Sequence, residues 1–332
     1  MNRSHFPTRL RYLAAGFAFF GAMLPAAALA GSPALASVND ATLSSAVDYQ
    51  SRAVIVKAQV LLDRAGFSSG VIDGHSGENF VNALTAFQRQ NGLPESGDLD
   101  AATWAKLTAS SPLPAMTEYT ISASDLRGPF APEIPDTMEK MTELKRLDYR
   151  GPRQMLAERF HIDESLLQDL NPRQTFNKAG AAIVVTDVTR VLPREKVVRI
   201  EVDKANRVVR AFEADGTLVG VYPASIGSTS KPAPSGTLKI TRIIHNPVYY
   251  YDPRFNFPGV EAKSRLKIAP GPNNPVGAVW MNLNARSFGI HGTAEPGKVG
   301  KIGSHGCVRM TNWDAWALAA MVRPGTTVQF IE

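Results

Sequence analysis

The stretch Ser304-His305-Gly306-Cys307-Val308-Arg309-Met310 holds the one cysteine of a 332-residue chain. A cysteine nucleophile needs a base or an electropositive setting to form thiolate, donors for the developing oxyanion, and access to substrate. His305 lies two residues before Cys307 and His291 sixteen before it, while Gly303 and Gly306 leave the adjacent backbone unhindered. At its ordinary pKa, near 8.5, only a few per cent of a thiol is ionised at neutral pH, and an imidazole partner lowers that value by about one to several units. Activation by histidine is therefore expected. The dipole of the helix that follows is a weaker candidate, because Thr311 would cap it four residues further on. Two other readings compete: a free cysteine is often just a small buried hydrophobe, and His291, His305 and Cys307 can be read as zinc ligands. Their spacing matches no common zinc pattern, however, and a thiolate locked on zinc does not attack. Neither metal nor cofactor is expected.

Outward from this stretch the apolar period is two. From Lys196, Val198, Ile200 and Val202 alternate with polar residues, Asp203 to Asn206 turns, Arg207 to Phe212 returns, and Leu218 to Tyr222 follows Asp215-Gly216. This is a β-meander. Further strands are expected at Gly236 to Ile244, Ala278 to Leu283, Phe288 to His291 and Thr327 to Ile331. One helix fits Trp313 to Val322, opened by a capping box of Thr311 and Asp314 and closed before Pro324-Gly325. Residues 196–332 thus read as a predominantly β domain, in which Trp313 and Trp316 are expected to pack.

The N-terminus carries Arg3, Arg9 and Arg11 without an acid, then an apolar run from Leu13 to Leu24, then Ala28-Leu29-Ala30. That layout is a secretory signal over residues 1–30, its apolar run being shorter than the roughly 20 residues that span a bilayer. Ala34-Leu35-Ala36 offers a second cleavage site. Removing residues 1–30 lowers the formal charge from +6 to +3. The rest is uneven, with 16 Lys/Arg against 21 Asp/Glu in residues 31–195 and 17 against 9 in residues 196–332. A basic C-terminal part suits an anionic polymer, and export argues against nucleic acid. Export also makes an idle free thiol a hazard, which favours a use for Cys307.

Between signal and β domain the period is helical. Val56, Val60 and Leu61, then Phe80, Leu84 and Phe87, mark helices, Asn91-Gly92 is a stop, and Asp100 is an N-cap for a third helix through Trp104. Residues 111–146, rich in Ser and Pro at their start, read as a linker. From 147 to 190, Met155 to Phe160, Leu166 to Pro172 and Ile183 to Val185 read as helix, helix and strand. Of the remaining histidines, His75 sits in a Gly-rich turn and is expected to be solvated, and His161 and His245 to be structural or exposed.

Three resemblances attach to these residues. His291-Gly292-Thr293, ten residues, then Ser304 to Met310, together with Pro234-Ser235-Gly236-Thr237 and Pro270 to Gly277, resemble the L,D-transpeptidase catalytic domain of the YkuD family, nearest its ErfK-like branch, over residues 196–332. Gly70-Val71-Ile72-Asp73-Gly74, Ala83 to Gln88 and Asn91-Gly92-Leu93-Pro94 resemble a small helical peptidoglycan-binding domain over residues 50–110. Ala157 to Phe160 and Leu166 to Pro172 resemble a LysM glycan-binding module. The resemblance implies a multidomain chain: a small α-helical bundle, a LysM-like α/β module and a predominantly β catalytic domain.

It further implies that Cys307 is the acyl-accepting nucleophile and His291 its general base. Ser304, His305 and Gly306 would support the oxyanion and the loop, Gly292 and Thr293 would contact substrate, and Arg309 would either hold a substrate carboxylate bidentately or brace the loop. The implied reaction releases D-alanine from a peptidoglycan stem peptide through a thioester and passes the acyl group to an amine. That amine belongs to a second stem peptide, giving a 3-3 cross-link, or to an anchored lipoprotein. The implied partners are stem peptides and glycan strands, the compartment a Gram-negative periplasm or cell wall. The rivals are an L,D-carboxypeptidase or hydrolase using the same cysteine, and a non-catalytic wall-binding protein.

Overall fold

The computed structural model describes residues 33–43, 51–190, 192–194, 196–255 and 260–332. The expected signal segment lies outside them. Among the described residues no helix is long and apolar enough to cross a membrane.

The first region holds α1 (Pro33–Asn39), α2 (Arg52–Arg64), α3 (Glu78–Gln90) and α4 (Ala101–Ser110). Each of α2 to α4 sits where the apolar period places it. α3 ends at Asn91, with Gly92 in the left-handed region at φ 67°, and α4 starts where the Asp100 carboxylate accepts from the Thr103 amide at 2.7 Å. Such a cap stabilises by about 1 kcal/mol.

Next come β1 (Met116–Thr120), α5 (Met138–Met141), α6 (Pro152–Arg159), α7 (Glu164–Leu170) and β2 (Ala182–Thr186). β1 and β2 pair antiparallel from Met116 opposite Thr186 to Thr120 opposite Ala182. The module is therefore a two-stranded ribbon with three short helices between its strands, α6 and α7 packing on each other. This corrects the reading of residues 111–146 as linker, since β1 opens the module inside that stretch. Met-Thr-Glu-Tyr-Thr offers little apolar alternation, and its partner strand lies far downstream, so no local pattern announces it.

The last region holds β3 (Arg199–Asp203), β4 (Val208–Phe212), β5 (Leu218–Pro223), β6 (Ser225–Ile226), β7 (Gly236–His245), β8 (Tyr249–Tyr251), β9 (Leu266–Ile268), β10 (Val279–Leu283), β11 (Gly289–His291), β12 (Val308–Arg309), α8 (Asn312–Met321) and β13 (Thr327–Ile331). Nine strands form one sheet in the order β5-β4-β3-β13-β7-β10-β11-β12-β6. β5 and β6 are separated in sequence only by Ala224 yet stand at opposite ends of that order. The sheet must therefore curl until its two edges approach, which wraps it around one core. Val202, Val209, Ile240, Met281, Ile290 and Val308 fill that core with Leu318 and Met321 of α8.

The three regions share their interiors. Val56, Val60 and Ile72 join the core of the β1–β2 module, while α2 to α4 form a second core with Val208 and Val221 of the large sheet. The α2–α3 loop is the joint. Ser68 donates its amide to the Val221 carbonyl at 2.9 Å, and Ile72 donates to the His161 carbonyl at 2.8 Å.

Candidate active site

β11 and β12 run parallel, with Ile290 opposite Val308 and His291 opposite Arg309. Ile290 and Val308 point into the core. Side chains alternate along strands, so His291, Arg309 and Cys307, which stands one residue before β12, share the other face. Sixteen residues of sequence separation thus become two adjacent strands.

His291 is 5% exposed, and its ring stacks on Trp280 of β10 with centroids 5.3 Å apart. Its Nδ1 lies 2.6 Å from the Gly292 carbonyl oxygen. That oxygen can only accept, so Nδ1 carries the proton and Nε2 is left as the basic lone pair. Burial, followed by the charge of Arg309, pushes the imidazole down to about 3.

Cys307 is half-buried, with its thiol donating to the Ser287 carbonyl at 3.7 Å. Burial pushes the thiol up to about 11, outweighing the Gly289 amide and the Arg309 charge that favour thiolate. The expected lowering by an imidazole partner is reversed, because desolvation of the charged form dominates and the positive charge beside the sulfur is Arg309. Thiol and neutral imidazole are the resting pair. Arg309 is itself held below its usual value by burial, offset by Glu295 and Cys307, and its buried Nε has no hydrogen-bond partner among the described residues.

The neighbouring residues take up structural work. Ser304 Oγ accepts from the Gly227 amide at 2.7 Å and from the Gly306 amide at 3.3 Å, and donates to the Cys307 carbonyl. It ties the Cys307 loop to the end of β6. Gly306 has φ 106°, and a Cβ there would press on Phe288, so the turn requires glycine. His305 is exposed, with its imidazole lowered by burial and then by Arg309 and Lys231.

Gly292 and Thr293, the implied substrate contacts, are both buried against protein. The Gly292 amide donates to the Val279 carbonyl at 3.1 Å, and the Thr293 amide donates to Asn312 Oδ1 at 3.1 Å. The capping box at Thr311 is half realised. Thr311 Oγ1 accepts from the Asp314 amide at 3.1 Å, but the Asp314 carboxylate turns away to accept from Ser68 Oγ at 3.0 Å. Trp313 packs as expected, against His161 at 5.1 Å between centroids, whereas Trp316 stays 42% exposed while stacking on His245.

Sequence reasoning passed over Trp280, Asn312 and Tyr249. Tyr249, on the β8–β9 hairpin, has its phenol raised by burial and then by the charge of Cys307, which sets that hairpin beside Cys307. The run Tyr249-Tyr250-Tyr251 was the available signal. A cleft of about 820 Å³ lies elsewhere, at the joint of the three regions, lined among others by Asp63, Glu158, His161, Arg190, Trp313 and Asp314.

With this geometry in place, likeness to known proteins becomes informative. The L,D-transpeptidase catalytic domain of the YkuD family matches residues 197–330, and a peptidoglycan binding domain matches residues 51–107. L,D-transpeptidase YkuD of Bacillus licheniformis is 30% identical over 175 residues, which cover 52% of this chain and 89% of that protein. The chain belongs to the L,D-transpeptidase family. L,D-transpeptidase YbiS of Escherichia coli K12 is 28% identical over 185 residues, 54% of this chain and 60% of that protein. Among solved structures, L,D-transpeptidase 3 of Mycobacterium tuberculosis with a faropenem-derived adduct aligns at 15% identity and a TM-score of 0.34, over 46% of this chain and 67% of that one. The L,D-transpeptidase is thus a multidomain enzyme, a helical peptidoglycan-binding region joined to a predominantly β catalytic domain, and its substrate is peptidoglycan.

Proposed function

We propose that Cys307 is the nucleophile of this L,D-transpeptidase and His291 its general base. The observation that carries the assignment is the parallel pairing of β11 with β12, which puts both on one face while the Gly292 carbonyl fixes the imidazole tautomer. Cys307 Sγ attacks the carbonyl carbon of the third stem residue as Nε2 takes the thiol proton. The tetrahedral adduct collapses, the imidazolium protonates the departing D-alanine amine, and a thioester remains. An incoming amine then attacks the thioester, His291 takes its proton, and the thiol is restored.

The resting protonation states shape this path. Burial raises the thiol and lowers the imidazole, so both shifts disfavour a thiolate–imidazolium pair formed as a separate step before attack. Proton removal therefore accompanies S–C bond formation, when negative charge passes to the oxyanion.

The proposal extends to the rest of the chain. Residues 1–30 are an export signal, and cleavage after Ala30 keeps α1, whose Val38 is buried and whose Asn39 side chain exchanges two hydrogen bonds with the Met116 backbone. The enzyme then works in a periplasm. The module from β1 to β2 holds the two strands and the helix pair α6–α7 of a LysM domain, with α5 inserted after β1, and this likeness supports glycan binding by it. Intact-mass spectrometry with a tetrapeptide stem should show a Cys307 adduct formed with loss of D-alanine. Muropeptide analysis of enzyme-treated wall then separates a 3-3 cross-link, lipoprotein attachment and hydrolysis. No adduct on Cys307 in enzyme that turns over would sink the assignment.

A further inference from the structure

We infer that Glu158, contributed by the module between β1 and β2, is a positioning residue for the reaction at Cys307, acting through Asn312 on the Gly292 carbonyl that orients His291. The inference rests on the assignment of His291 as base.

Glu158 sits on α6, and both its oxygens accept from Asn312 Nδ2, at 3.1 and 3.0 Å. Oε1 also accepts from the Tyr149 hydroxyl at 2.9 Å. The Asn312 amide, at the start of α8, faces two ways. Its Nδ2 points at acceptors only, Glu158 and the Pro272 carbonyl at 3.1 Å. Its Oδ1 accepts from two backbone amides, Ala278 at 2.9 Å and Thr293 at 3.1 Å.

The Thr293 N–H and the Gly292 C=O are two ends of one rigid peptide plane. Asn312 holds the N–H end, and His291 Nδ1 donates to the C=O end at 2.6 Å. Any tilt of that plane moves the acceptor that sets the imidazole. The sequence has cleared space for the clamp, since a Cβ on Gly277 or on Gly292 would collide with Asn312 Oδ1. An Asn312 amide turned over would aim Nδ2 at two N–H donors, so what keeps it upright is the acceptor set on its far side. Glu158 supplies most of that set.

Ionisation of Glu158 bears on this directly. As carboxylate it accepts with both oxygens; protonated, it gains a donor that competes for Asn312 Oδ1. Burial raises its carboxyl to about 7, against which the Asn312 and Tyr149 hydrogen bonds and the charge of His161 act. Around the same cleft stand Asp63 of α2, Arg159 of α6, Arg190 after β2, Tyr222 of β5 and Asp314 of α8. His291 titrates far lower, so the two contributions fall in separate pH ranges.

The test uses the full chain, a tetrapeptide stem with an amine acceptor, and kcat and KM from pH 2.5 to 9, normalised to folded protein by circular dichroism. Glu158→Ala should lower kcat roughly ten- to a hundredfold, as expected when a catalytic group is misplaced by a fraction of an ångström to an ångström, with KM within about twofold. Glu158→Gln should abolish the rise in kcat through pH 7 while leaving the lower limb that belongs to His291. Asn312→Ala should match Glu158→Ala, and the double variant should add nothing further. If Glu158→Ala does not fold, Glu158→Gln decides alone. An unchanged kcat and pH profile in Glu158→Gln, or additive losses in the double variant, overturns the inference. Turnover surviving in Cys307→Ala would instead remove the reading of the site on which it rests.

Discussion

Two buried polar clusters in this enzyme meet burial in opposite ways. At the catalytic face the thiol of Cys307 is raised to about 11 and the imidazole of His291 lowered to about 3, so neither changes charge near neutral pH. At the joint of the three regions Glu158 and Asp314 are each raised to about 7, where they do change charge. The difference comes from where each group starts. Burial is the largest cause at all four: it lifts the two carboxyls from the acid range towards neutrality, with Asp63 adding to it at Asp314, and drives the thiol and the imidazole away from neutrality. The reacting groups are insulated from ambient pH, and the response to pH sits where the modules meet.

The largest expected effect tests the first half of that contrast. Cys307→Ala should lower turnover by about three orders of magnitude or more, the scale on which removal of an acyl-transfer nucleophile acts, and intact mass should show no adduct. Turnover within tenfold of wild type would dissolve the catalytic cluster as such. His291→Asn should cost about two to four orders in kcat/KM. Its lower pH limb, which lies near 3, should vanish; a limb that persists would reassign the base.

How much of this was legible beforehand follows from where each signal is carried. The strands of the large sheet announce themselves by period-two alternation, and the pair of His291 and Cys307 by residue types that few other roles explain. β1 was hidden because Met116 to Thr120 has meaning only beside Ala182 to Thr186. Asn312 was hidden for another reason. An asparagine after a helix cap looks like routine capping chemistry, and only the fold brings Glu158, Ala278 and Thr293 to its two ends. The direction of the Cys307 shift was also beyond the sequence, since spacing shows a possible partner but not the depth at which both groups sit.

Arg309 links the two halves of the catalytic cluster, since its charge lowers both His291 and Cys307. Arg309→Met should raise both. The lower limb of the pH profile then moves upward, and alkylation of Cys307 by iodoacetamide slows at a given pH because less thiolate is present. A fall in kcat/KM of roughly tenfold is expected with loss of one such charge beside a reacting thiol. An alkylation rate equal to wild type would show that burial alone sets the sulfur.

The smallest effect lies at the joint and concerns stability. Asp314 in the folded enzyme keeps its proton up to about 7, through burial and the charge of Asp63, whereas in the unfolded chain it releases it near 4. Below about 4 both states are protonated and the stabilising contribution is fully present. Between about 4 and 7 only the unfolded state ionises, so stability falls as pH rises, by on the order of 2 kcal/mol from pH 5 to pH 7, and then levels. Asp125 and Asp203, held below the usual carboxylate range, act in the opposite sense, but their contribution is lost only at more acidic pH. Asp314→Asn keeps an acceptor for Ser68 Oγ and removes the titration. Urea unfolding at pH 5 and pH 8 should therefore show a smaller difference for the variant, the remainder belonging to Glu158, which runs in the same direction. An equal difference in both proteins would mean that Asp314 is ionised in the folded state at pH 5, and that the pH response of the joint belongs to Glu158 without it.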